Sequence, residues 1–419
     1  MATLTDEARF PATPRERVTS AAAVVLVLAG LGWLFDAMVI NIYALVLPGI
    51  LASFHGSLGL GGIIASIFLF GYTAGSFLGG TLADYLGRKR TLGLSILSYS
   101  FGMALSAFAP TAWLFMGLRF LTGVGGGMEL PTSAVYVTET WPRRLGARAM
   151  GAMHSFYCIG FIVAIGIAAA AVPHFGWRWA FAGCVVPGLL IFFFRLSLQE
   201  SPRFGGVVEA LRSEEKLWKR VTVVELFRSR YGGQVLVHGL LWISAAWGYW
   251  AFAVFAPYYL GKVLHYPQAQ VYWFIAAFNV FGIAGSLGIG YVADVLGRRL
   301  PGMLCPLAAM AGVILFSLSK TPQAIFAAGA LEFVAISGAW VVGETFTSEV
   351  FPTNIRGTAF STALTIGRVV SILAPTAVGA LAEKTSLAFA YQLSVAPWLL
   401  AILAYAISRE TRGTTLADA

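Results

Sequence analysis

Charge is what this sequence has least of. Only 11% of its 419 residues are charged, against roughly a quarter in soluble domains of ordinary composition. A larger core cannot explain the deficit, because it would still need a wetted surface; lipid in place of water can. Cysteine is nearly as scarce. Cys158, Cys184 and Cys305 all lie in apolar stretches, so neither a disulfide framework nor a metal-ligand spacing can be read from them. The first apolar run is too long for a signal-peptide core, so residues 1–20 read as a tail rather than a removable leader. No nucleotide loop or nucleophile–base arrangement occurs, and the glycines at 123, 125 and 127 lack the strand a dinucleotide site requires. An enzyme is not expected, and neither a cofactor nor a metal.

What is present is apolar: 58% of the residues are hydrophobic. Runs long enough to cross a hydrocarbon core of about 30 Å fall at 21–48, 60–82, 92–109, 111–138, 148–172 and 178–198. A second set falls at 233–260, 268–292, 301–319, 321–348, 357–382 and 386–407. The sequence therefore predicts an all-α membrane protein of twelve transmembrane helices.

Basic residues test that map. With the N-terminus inside, 22 of the 28 fall on cytoplasmic segments, among them Arg88, Lys89, Arg90, Arg143, Arg144, Arg148, Arg298, Arg299 and Arg356. Arg178, Lys262, Lys320 and Lys384 fall on the other face, and Arg119 and Arg368 inside spans. This bias orients the chain in an inner membrane with both termini cytoplasmic. The net charge of +9 is then topology, not a nucleic-acid surface.

The chain also repeats itself. Gly80-x-x-x-Asp84-x-x-Gly87-Arg88 returns as Gly290-x-x-x-Asp294-x-x-Gly297-Arg298, and Glu139-x-x-Pro142 as Glu349-x-x-Pro352, each 210 residues later. Glu200, after the sixth span, is echoed by Glu410 after the twelfth. Such a repeat marks a transporter built from two six-helix bundles: a tail at 1–20, bundles at 21–198 and 233–407, a connecting loop at 199–232 with short surface helices, and a tail at 408–419.

These motifs resemble the signature of the major facilitator superfamily, and Glu200-Ser-Pro-Arg203 with Arg356-Gly357 narrows the resemblance to its sugar-porter-like branch. That branch includes organic-ion transporters, synaptic-vesicle-protein-like proteins and bacterial nicotinate and aromatic-acid symporters. One departure is visible: where Arg-Gly should follow Pro142, the chain has Gly146-Ala147, with Arg148 nearby. The loop charges Asp84, Arg88, Glu139, Arg148, Asp294, Arg298, Glu349 and Arg356 are expected to latch the bundles rather than touch a substrate.

Ionisable residues inside spans are functional candidates, because each costs about 2.5–3.5 kcal/mol on insertion scales. Counted along their helices, Asp36 and Arg119 lie at similar depth, which permits a pair; the resemblance implies that such a pair couples protons to transport, against the alternative of a static salt bridge. The resemblance also implies that Arg368 binds a substrate carboxylate, which suits the bidentate reach of guanidinium. A resting pair with Glu344 or Glu332 is the competing reading. Glu129 is expected to pack against Arg143 or Arg148. The amide set of hexose carriers is missing, its positions falling on His154, Ser244, Ala245 and Trp250. Trp33, Trp250 and Trp340 instead suggest aromatic walls for a planar carboxylate, and Glu344, His154, Asn41 and Tyr43 complete the candidate binding set. The expected activity is proton-coupled uptake of a small organic anion such as nicotinate or benzoate by a monomer. Efflux of organic cations through Asp36, Glu129 and Glu344, sugar or polyol symport, and ligand binding without transport are the alternatives.

Overall fold

In lipid a backbone can satisfy its polar groups only within itself, so long apolar runs become helices. The computed structural model describes residues 18–56, 58–197, 200, 223–253, 255–352 and 355–412. The expected tail at 1–20 and loop at 199–232 lie largely outside them. In the first half, α1 (Ser20–Ser53), α2 (Leu58–Leu86), α3 (Arg88–Ala107), α4 (Ala112–Thr140) and α5 (Gly146–Phe175) are continuous, followed by α6 (Trp177–Gly183) and α7 (Val185–Arg195). The second half holds α8 (Val223–Arg228), α9 (Gly232–Ala253), a short α10 (Ala256–Tyr258), α11 (Gln268–Leu296), α12 (Arg299–Leu318), α13 (Pro322–Val350), α14 (Arg356–Ser371), α15 (Leu373–Lys384), α16 (Leu387–Ser394) and α17 (Trp398–Ile407).

Each of the twelve apolar stretches is largely helical over its described residues. Among the described residues, nine segments are long and apolar enough to cross a membrane; α3, α4 and the α14–α15 pair are more polar or interrupted. The breaks go with proline, which supplies no N–H to the preceding turn; Pro257 lies in α10, just past the break after Ala253. Pro187 and Pro375 stand three residues beyond the breaks at Cys184 and Ile372, and Pro397 caps α17.

The 210-residue offset holds in three dimensions. Helix α2 maps onto α11 and α4 onto α13 with both ends in register. Thr111 and Thr321 cap α4 and α13 alike, each side-chain oxygen accepting a backbone N–H three residues on at 3.3 Å. Gly87 and Gly297 end α2 and α11 at φ 94° and 96°, a left-handed conformation open mainly to glycine. The two halves meet where α2 packs along α14 and α5 along α11.

Candidate functional site

Between the halves lies a cavity lined by both. The first half lines it with Trp33 and Ile40 from α1, Tyr72 from α2, and His154, Tyr157 and Cys158 from α5. The second half supplies Tyr249, Trp250, Phe252 and Ala253 from α9, Asn279 from α11, Arg368 from α14, and Glu332, Phe333, Ile336, Ser337 and Trp340 from α13.

Arg368 is buried, at 4% exposure, yet has no carboxylate within ion-pair distance among the described residues. Its Nη1 donates to Ser76 Oγ, and its guanidinium carbon lies 4.1 Å from the centre of the Tyr72 ring. The Tyr72 hydroxyl in turn donates to Asp36 Oδ2 at 2.5 Å, while Asp36 Oδ1 has no partner. The alternative in which Arg368 is neutralised by Glu344 or Glu332 is therefore not realised. Glu344 faces His154 instead, Oε1 to Nδ1 at 3.3 Å, and Trp33 Nε1 donates to the same nitrogen at 3.4 Å.

The aromatic walls are continuous. Trp33 lies 5.1 Å from Tyr157, and Trp340 lies 6.2 Å from His154 and 6.4 Å from Tyr249 between ring centres. The Tyr157 and Tyr249 hydroxyls share a hydrogen bond of 2.8 Å across the halves. Of the expected binding set, Arg368, Trp33, Trp250, Trp340 and His154 reach the cavity; Glu344, Asn41 and Tyr43 do not line it. Asn41 spends its amide on the Ala37 carbonyl at 2.8 Å, and the Tyr43 hydroxyl donates to the Gly61 carbonyl at 2.6 Å.

The ion pair expected between Asp36 and Arg119 is not formed. Arg119 sits in an aromatic cage, its guanidinium carbon 4.2 Å from the Phe68 ring centre, 5.1 Å from Tyr43 and 5.8 Å from Phe181. Rise along α1 separates Asp36 from Tyr43 by about 10 Å, and Asp36 is level with Gly126 on α4, where a Cβ would lie 2.6 Å from its Oδ1, so the two residues sit at different depths. A second correction concerns Glu129. It is held by a fork from Arg195 at the end of α7, with Nη1 to Oε2 at 2.9 Å, rather than by Arg143 or Arg148. Neither Glu129 nor Glu344 offers the cavity a cation contact.

At the end carrying the arginine-rich loops, the halves are latched. Asp84 accepts the backbone N–H and hydroxyl of Thr358 at 2.8 and 2.9 Å. Asp294 accepts the backbone N–H groups of Ala147 and Arg148, each at 3.0 Å. Both aspartates are thus bonded to the N-terminal turn of a helix in the other half. The first glycine of each motif allows the approach: a Cβ on Gly80 or Gly290 would strike the carbonyl of Gly357 or Ala147. Arg88 forks onto Glu139 at 3.1 and 2.8 Å, and Arg298 onto Glu349 at 3.0 and 2.7 Å. Arg356 Nη1 reaches Glu139 across the halves at 3.6 Å. The equivalent of Arg356 is Gly146, and Glu349 is met there by the Thr411 hydroxyl at 2.6 Å. The Arg148 side chain lies along the Tyr291 ring, 3.5 Å from Asp294 Oδ2.

Within each half the same motif is braced by Glu200, which accepts the Arg88 backbone N–H at 2.8 Å, and by Glu410. Glu410 accepts backbone N–H groups of Arg298, Arg299, Thr411 and Arg412 at 2.9 to 3.0 Å. Burial pushes its carboxyl up, but these donors more than offset that and hold it below the ordinary glutamate value.

The sequence model of the Major Facilitator Superfamily matches residues 23–285 and 239–417. The chain belongs to that superfamily. It is 27% identical over 394 residues to a Bacillus subtilis protein named as a niacin/nicotinamide transporter, NiaP, covering 94% of this chain and 97% of that one. It is likewise 27% identical over 378 residues to the niacin transporter NiaP of Acinetobacter baylyi, covering 84% of this chain and 85% of that one. Among solved structures, the proton:xylose symporter XylE bound to 6-bromo-6-deoxy-D-glucose superposes with a TM-score of 0.80 at 18% identity, over 96% of this chain and 99% of that chain. At that identity the likeness speaks for the fold. As a superfamily member with several apolar spans, the chain is a multi-pass membrane transport protein, and the relatives are transporters rather than enzymes.

Tyr72, Tyr157 and Asn279 belong to the cavity but were not singled out from sequence, since an aromatic or an asparagine within an apolar span is common core material. Tyr72 carried one usable signal, its place one turn before Ser76 on the helix that bears the Gly80 motif.

Proposed function

We propose that the chain takes up a small organic acid, an aromatic carboxylate of the nicotinate or benzoate kind, by proton-coupled alternating access. The observation that carries this reading is Arg368, a buried guanidinium with no carboxylate partner in an aromatic cavity. In this reading a planar ring stacks between the Trp33–Tyr157 and Trp340 walls while its carboxylate meets the guanidinium fork. That two relatives are named for niacin, a pyridine carboxylic acid, supports the choice of acid.

Charge balance suggests the coupling. Asp36 and Arg368, linked through Tyr72, are neutral together; an arriving carboxylate adds one negative charge, and a proton on Asp36 restores neutrality. In this scheme Asp36 works with Tyr72 and Arg368, in place of the expected Arg119. The two bundles, at about 21–198 and 233–407, then rock about the cavity, with Asp84, Arg88, Glu139, Arg148, Asp294, Arg298, Glu349 and Arg356 governing the arginine-rich end. That end faces the cytoplasm of an inner membrane in this proposal, and a monomer suffices.

Uptake of labelled nicotinate and benzoate into proteoliposomes, with and without an inward proton gradient, tests the scheme. Gradient-stimulated uptake is expected, with loss of stimulation in Asp36→Asn and loss of acid binding in Arg368→Ala. Full activity without a gradient would remove the coupling; retained binding in Arg368→Ala would remove the site.

A further inference from the structure

The cavity has a second polar end that the carboxylate reading leaves unused. Glu332 lines it from α13 and is 1% exposed, and no described residue donates a hydrogen bond to its carboxylate; Oε2 is enclosed without a partner. Asn279 lines the same space from α11. Its Nδ2 donates to the Ile275 carbonyl at 2.8 Å, which fixes the amide and leaves Oδ1 as an acceptor without a donor. Phe252, Phe333 and Ile336 line the same cavity, whose basic side chains among the described residues are Arg368 and His154.

Arg368 lies at another depth. It is about 18 Å along α14 from the arginine-rich end, whereas Glu332 is about 27 Å from that end along α13, a separation of about 9 Å. A buried carboxylate with no donor is among the costliest arrangements in a protein, and one inside a membrane is a functional candidate by default. This carboxylate and the Asn279 amide oxygen, facing one space, call for a donor that no described residue supplies.

We propose that Glu332 and Asn279 form a recognition site for a cationic, N–H-donating group of the cargo, so that the cargo is a zwitterionic aromatic acid. This rests on the carboxylate reading of Arg368. The acid's carboxylate meets Arg368, its ring spans the aromatic walls, and its ammonium or protonated nitrogen makes charge-assisted hydrogen bonds to Glu332. Each end then balances by itself: the cation with Glu332, and the carboxylate with Arg368 and a proton on Asp36.

The test uses the full-length protein in proteoliposomes at neutral pH and three probes: benzoate, para-(aminomethyl)benzoate and benzylamine, each competing in counterflow. Wild type is expected to prefer the zwitterion over benzoate at least tenfold. Glu332→Gln should abolish that preference while leaving benzoate within about twofold of wild type, and Asn279→Ala should reduce it. Equal affinity of wild type for the two acids overturns the proposal, as does an equal loss of both in Glu332→Gln, which marks a structural role. If Glu332→Gln does not fold, Glu332→Asp and Asn279→Ala carry the same readout, and an unchanged preference in both overturns it. Should neither acid bind wild type, the carboxylate reading has failed; benzylamine binding that is lost in Glu332→Gln would then still uphold the cation site, and its absence would overturn it.

Discussion

Asp36 and Arg368 belong to opposite halves of the chain, and the ring of Tyr72 joins them: its hydroxyl donates to Asp36 Oδ2 at 2.5 Å and its face lies 4.1 Å from the guanidinium carbon. Coupling and cargo binding are therefore separable at one residue. Tyr72→Phe keeps the ring under Arg368 and removes the donor to Asp36. Equilibrium binding of benzoate should stay within about threefold of wild type, while stimulation of uptake by a proton gradient falls. Unchanged stimulation would sever Tyr72 from the coupling path.

Arg368→Lys retains the charge and loses the planar fork. Hydrogen bonds to charged groups contribute about 1.5–3 kcal/mol, so acid affinity should fall roughly 10- to 100-fold, measured by displacement of labelled benzoate. Wild-type affinity in the lysine variant would show that a point charge is enough.

Glu129 and Arg195 form a buried pair that Ser95 and Ser133 extend by donating to Glu129 at 3.1 and 2.9 Å. Removing one partner of such a pair costs about 3–5 kcal/mol, so Glu129→Leu alone should lower the unfolding temperature sharply. Replacing both, as Glu129→Leu with Arg195→Met, should recover most of the loss. Thermal unfolding in detergent reads both, and additive losses would argue against a coupled pair.

Gly146 stands where the other half has Arg356. A Cβ there would lie 3.3 Å from Glu349 Oε1, so Gly146→Arg should add the missing bridge between halves. An ion pair of ~1 kcal/mol moves a two-state balance about fivefold. Uptake should slow by about that factor with binding affinity retained; faster uptake would contradict a latch at this end.

Glu410 is held below the ordinary glutamate value near 4.5. A carboxylate so held stabilises the fold fully above that value, and its contribution is lost as pH falls through the lower folded-state value. Glu410→Gln should lower the unfolding temperature at pH 7, and the gap to wild type should close as the pH falls through the lowered folded-state value. A gap independent of pH would assign the effect to packing.

Much of this was legible in the sequence because the repeat fixes backbone demands. Gly80, Asp84, Gly87 and Arg88 each have one geometric task, and each task recurs at Gly290, Asp294, Gly297 and Arg298. Within spans, legibility fell to depth alone. Depth placed Arg368 near the middle, where it lines the cavity, but it could not tell which way a helix turns a side chain. For Arg119 the depth itself, counted from approximate span ends, was about two turns off: it sits at the level of Tyr43, and Asp36 at the level of Gly126. Glu129 was misassigned for a related reason: its partner Arg195 is 66 residues away, beyond the reach of any local spacing rule.

The missing arginine at position 146 has a mechanical consequence. Among the described residues, the seam of α2 with α14 is fastened by the Asp84–Thr358 bonds and the Arg356–Glu139 bridge, and the seam of α5 with α11 by the Asp294 bonds and the half-exposed Arg148. A door fastened unequally on its two sides swings from the firmer one. On this asymmetry, the gap beside Ala147 is expected to admit water before the one beside Gly357.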